Sequence, residues 1–96
     1  MFEKKVRHNQ ITFTIRAPSR NRLKKYDIFQ GGTFITSFGQ KYPNGVPYEQ
    51  YKDKLGYYSQ YDHNDKQRRD SYRKRHAGDF IDDPTKAGFW AWKFLW

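Results

Sequence analysis

The sequence predicts a small α+β domain, with an antiparallel sheet, one main basic helix and an aromatic C-terminal segment packed against them. Three observations point there. Period-two alternation of apolar and polar residues recurs through residues 10–38, a basic run with acidic residues at its start spans residues 63–76, and residues 85–96 hold five rings. A chain of 96 residues supports one core. That core must be built from rings, because 19 residues are Phe, Tyr or Trp and ten are Val, Ile or Leu.

Taken in order, residues 1–9 read as a basic N-terminal arm and residues 10–96 as the single domain. Residues 10–16 alternate, with Ile11, Phe13 and Ile15 on one face and Thr12, Thr14 and Arg16 on the other, as in a strand with one wet face. Pro18 closes it. Residues 25–29 and 33–38 are two further β-rich runs joined by Gln30-Gly31-Gly32, a hairpin signal because glycine accepts positive φ. Residues 39–47 carry two Gly and two Pro and read as an irregular loop. The spacing of Tyr48, Tyr51, Leu55 and Tyr58 predicts a short helix, although Gly56 interrupts it. The main helix is predicted over residues 63–76, with Asp62 as N-cap, Asp65 three residues on, and Ala77-Gly78 as the stop. Residues 79–84 form an acidic loop. For the tail the spacing fits a helix, with Phe89, Trp92 and Trp96 on one face, or a strand presenting Trp90, Trp92, Phe94 and Trp96; the helix is preferred. An apolar final residue, Trp96, suggests docking onto the domain or a partner.

Composition excludes several kinds of chemistry. Without cysteine there is no disulfide, thiolate metal site or cysteine nucleophile. No apolar run is long enough to span a membrane, and the opening residues lack the apolar stretch of a secretion signal. The four serines have no activating neighbours legible in the sequence, Gly31-Gly32 lacks the spacing of a phosphate loop, and Asp79, Asp82 and Asp83 are too few for a calcium loop. His63 and His76, with Asp62 or Asp65, suggest a metal-dependent nuclease only in composition. Thirteen residues along a helix separate the two rings by roughly 20 Å. No enzyme activity and no cofactor are expected.

Charge points elsewhere. The net charge is +9, concentrated as +7 in residues 1–25 and +4 in residues 52–76. Such a field attracts nucleic acid, acidic protein surfaces or anionic lipid. Lys4, Lys5 and Arg7 of the arm, and Lys66, Arg68, Arg69, Arg73 and Arg75 of the helix, are the candidate anion- or partner-binding residues. Two plainer roles compete for the helix: pairs Asp65–Arg69 and Asp70–Lys74 on a solvated face, or arginines stacked on Tyr61 and Tyr72 to finish the fold. Phe89, Trp90, Trp92, Phe94 and Trp96 are expected in the core or at an interface rather than stacked on bases.

Residues 24–96 resemble a group of short proteins encoded by large DNA viruses and tailed phages. The residues that carry the likeness are Lys25-Tyr26-Asp27-Ile28-Phe29, Phe38-Gly39, Asp62-His63-Asn64-Asp65, Arg68-Arg69, Tyr72, Arg75-His76 and the tail from Thr85 to Trp96. This chain departs from that pattern in residues 1–17 and in its longer loop at 41–47, where a member-specific contact is expected. The resemblance implies a viral origin, and hence a virion component or an infected-cell factor. The leading expectation is therefore a minor structural protein, cementing or bridging larger capsid subunits within an oligomeric particle. The alternative is a basic protein that coats or packages viral DNA or RNA.

Overall fold

The computed structural model describes residues 1–78 and 82–96. Four strands, β1 (Phe2–His8), β2 (Ile11–Ala17), β3 (Lys24–Gln30) and β4 (Thr33–Gln40), form an antiparallel meander in sequence order. Two helices follow, α1 (Lys66–Arg75) and α2 (Ala87–Phe94). The α+β class is as the sequence predicts.

The segment read as a charged arm is a strand. β1 pairs with β2 along its whole length, from Phe2 opposite Ala17 to His8 opposite Ile11. Its charges obscured an alternation in which Phe2 and Val6 pack against the core while Glu3, Lys5 and Arg7 face outward. The β1–β2 turn places Asn9 and Gln10 at φ +50° and +67°. A two-residue hairpin needs that geometry at both positions, and the sequence supplies it without glycine. The β3–β4 turn satisfies the same need with Gly31 and Gly32. Gly39 has a separate reason to be glycine: at φ +77°, an added Cβ would lie 2.8 Å from the Lys25 side chain.

Phe13, Ile15, Tyr26, Ile28 and Phe38 turn to one face of the sheet, where Leu55, Tyr58, Phe89, Trp90 and Leu95 cover them. Ring meets ring throughout: Phe13 and Trp90 edge-on at 5.2 Å, Tyr26 and Phe38 stacked at 5.1 Å, Tyr26 and Tyr58 edge-on at 5.2 Å. Ile11, assigned to the apolar face by alternation, sits at the exposed end of β2. The tail is a helix, as preferred, but its buried side differs from the predicted one. Phe89 and Trp90 are buried and Trp92 is only half-buried. Trp90 is drawn in because its indole N–H donates to the Pro84 carbonyl at 2.8 Å, which satisfies the group while the ring lies on Phe13.

No helix forms over residues 48–58. This stretch belongs to a strap, residues 47–62, tied down by buried side chains that compete for the backbone amides. The Asp53 carboxylate accepts from the amides of Leu55 and Tyr58 and from the Tyr26 hydroxyl. Asp62 accepts from the Asp53 amide and from Gln50, and Gly56 turns at φ +92°. With Asp62 so engaged, the cap of α1 falls to Asp65, whose carboxylate accepts from the amides of Gln67 and Arg68. The helix starts three residues later than the sequence suggests, and His63 lies ahead of it. The acidic loop falls partly on residues 79–81, outside the described residues.

Candidate nucleic-acid interface

Helix α1 buries no residue, so its arginines decide how it sits. Arg73 points its guanidinium at the main-chain oxygen of Trp96, donating from Nε at 3.1 Å and from an Nη at 2.8 Å, and lies 5.0 Å from the Trp92 ring. Arg69 covers the Tyr51 ring at 4.9 Å and reaches Asp70. Tyr72 stacks on Trp96 at 4.3 Å with the planes 7° apart, and His76 stacks on the other side of Tyr72 at 4.3 Å. Arg68 pairs with Glu49 at 3.1 Å. Arg69 and Arg73 therefore face the body of the protein, while Lys66 and Arg75 lie on exposed turns. The helix does not present one continuous row of guanidinium groups. Two of its arginines, Arg69 and Arg73, stack on rings and finish the fold, though the rings are Tyr51 and Trp92 rather than Tyr61 and Tyr72.

Beneath the strap lies a buried polar network. The Lys25 ammonium donates to the Tyr48 carbonyl at 2.6 Å and to the Gln50 side-chain oxygen. Gln50 in turn donates to the Tyr58 carbonyl and Asp62, and the Tyr58 hydroxyl returns to the Lys25 carbonyl. Burial lowers the Lys25 pKa to about 8, against the opposing pull of Asp53 and Asp62. Burial likewise raises Tyr58 to about 12 and pushes Tyr26 well above the usual tyrosine range, with the Asp53 hydrogen bond adding to the latter. Each of these polar groups is held by another, so the network locks the strap to the sheet.

A second set of cations lies on the other face of the sheet, away from the helices, with Arg16 and Arg20 paired there to Glu3 and Asp27. By register, Glu3 and Arg16, Lys5 and Thr14, and Arg7 and Thr12 share that outward face, and Lys4 falls on the opposite one. Arg16 is bound to Glu3 at 2.9 Å and lies 4.7 Å from the Phe29 ring. Arg20, from the β2–β3 loop, sits 5.4 Å from both Phe29 and Phe34. The two rings meet edge-on at 5.8 Å, and Phe34 remains 45% exposed. Asp27 anchors this corner by accepting from the Ser19 and Ser37 hydroxyls and the Arg20 amide. Burial raises its pKa, but these hydrogen bonds and the Arg20 charge outweigh burial and hold the carboxyl below the usual range.

Of the residues singled out in the sequence, the fold thus joins Lys5 and Arg7 on one surface, sets Lys4 apart, and places the α1 cations on the helix side. Arg16, Arg20, Phe29 and Phe34 were not singled out. The signal for two of them was the wet-face alternation in β2 and β3, but only pairing puts their strands side by side. Among the described residues no group of three or more His, Asp or Glu side chains is placed to hold a metal ion, and no helix is long and apolar enough to cross a membrane. Compared with protein-family models, curated proteins and solved structures, the chain finds no match in any of the three.

Proposed function

We propose that the protein binds single-stranded nucleic acid on the outward face of its sheet. The observation that carries this reading is the Arg20 guanidinium poised 5.4 Å from both Phe29 and a half-exposed Phe34, with Lys5, Arg7 and Arg16 on the same face. Rings and guanidinium planes stack on any base, and cations spaced across a strand track the phosphates between them. Fluorescence anisotropy with a labelled single-stranded oligonucleotide tests it. Phe34→Ala is expected to weaken binding by about 1–3 kcal/mol. With three or four phosphates neutralised, log affinity should fall against log salt with a slope of about −2 to −3. A flat salt response, or full affinity in an Arg20→Glu, Phe34→Ala double variant, rules the reading out.

A second reading, a cement or bridging protein of a virus particle, is favoured by a different feature. Leu23, Tyr42, Val46 and Tyr48 are exposed apolar side chains gathered by the loop after β4, with Tyr42 and Tyr48 stacked at 4.1 Å. Such side chains suit a protein partner, and the resemblance to viral proteins supplies the capsid. Failure of a Tyr42→Asp variant to enter particles, with oligonucleotide binding intact, would favour this reading over the first.

A further inference from the structure

On the helix side, a groove of about 570 Å³ opens where α1, α2, the end of β4 and the strap meet. That volume suits a small organic ligand. Its charges are unbalanced toward the positive. Lys24, Lys25 and Arg75 line it, and the one carboxylate that lines it among the described residues, Glu49, is already taken by Arg68. Lys25 is committed to the strap, but Lys24 and Arg75 make no side-chain hydrogen bond, ion pair or ring contact among the described residues. Arg75 is unlike the other three arginines of α1, each of which is engaged by Glu49, Asp70 or Trp96. An unengaged guanidinium and an unengaged ammonium lining one groove form an anion site, since a guanidinium offers paired donors to a phosphate and an ammonium adds a point charge. The walls add ring surface, from Tyr48 and from the stack of His76, Tyr72 and Trp96, with Gly88 and Ala91 contributing little bulk.

We propose that this groove binds a phosphorylated nucleotide unit, with its phosphate on Lys24 and Arg75 and its base against the wall rings. The unit is either a free mononucleotide or the phosphorylated end of a strand. The site is separate from the sheet face and stands or falls independently of it. The full chain labelled with ¹⁵N is titrated with adenosine monophosphate, adenosine and inorganic phosphate while amide shifts are followed. The monophosphate should move the Gly88 and Ala91 amides, with adenosine and phosphate alone each binding at least about tenfold more weakly. Arg75→Ala and Lys24→Ala should each weaken the monophosphate by about tenfold or more, whereas Arg20→Glu leaves it unchanged. Because neither side chain is engaged, both variants should keep dispersed spectra. A 5′-phosphorylated oligonucleotide that outbinds its 5′-hydroxyl counterpart at these amides identifies a strand end as the ligand, and equal binding of the two identifies the free nucleotide. The proposal is overturned if millimolar monophosphate leaves Gly88 and Ala91 unmoved, or if Arg75→Ala binds it as well as the parent. Loss of oligonucleotide binding in Phe34→Ala with monophosphate binding intact would separate the two sites.

Discussion

Lys25 should make the protein more stable as the solution becomes alkaline. Its side chain is 1% exposed, and burial lowers its pKa from 10.5 to about 8. Above pH 10.5 neither folded nor unfolded chain carries this proton. As pH falls, the unfolded chain takes it up first, so folding is penalised progressively until about pH 8, below which the penalty is constant. Read upward, stability climbs between pH 8 and 10.5 at no more than about 1.4 kcal/mol per pH unit, about 3 kcal/mol in all. Lys54, also lowered by burial, acts in the same direction. Tyr26 and Tyr58 act oppositely above about pH 10, where unfolded tyrosines ionise and these two resist. The net expectation is a stability maximum near pH 10. Urea denaturation followed by tryptophan fluorescence at several pH values from 7 to 10.5 measures it, with Lys25→Met as the comparison. A flat profile in the parent, or the same rise in Lys25→Met, would refute the argument.

Three further expectations concern the locks that hold the fold together. Arg73→Ala removes both donors to the Trp96 oxygen and the cover on Trp92, and should lower stability by about 1–3 kcal/mol, visible as a lower urea midpoint and a changed tryptophan spectrum. Asp53→Ala strands the Leu55 and Tyr58 amides and the Tyr26 hydroxyl, a loss of at least about 3 kcal/mol. Amide exchange should then accelerate in the strap before the sheet. Gln10→Gly relieves a left-handed backbone at φ +67° and should stabilise the chain by about 1 kcal/mol in thermal melts; destabilisation would contradict the turn geometry.

Local signals were readable where one residue type answers one backbone need. Gly31-Gly32 marked the β3–β4 turn, and the alternation of Phe13 and Ile15 marked β2. β1 was hidden because four of its seven residues are charged, and edge strands often carry charge to avoid further pairing. In the strap, tyrosines at helical spacing signal burial of one side, yet the buried Asp53 and Gln50 capture the backbone instead. The sheet-face site needed Phe29 and Phe34 to meet across a hairpin and Arg20 to fold over them, which no window of sequence displays.

By itself, then, the chain determined its class and its materials: a ring-built core and an antiparallel sheet with a basic helix, while the tail's spacing fitted helix and strand alike. These follow from periodicity and composition, which act over a few residues at a time. Which cations are spent and which are left over was decided by tertiary structure alone. Arg69 and Arg73 lie beside Arg68 and Arg75 in sequence, yet Tyr51, Trp92 and Trp96 claim the first two and Glu49 the third. How firmly a neighbour holds a charge sets how readily a ligand recruits it, and neighbours are set by long-range packing.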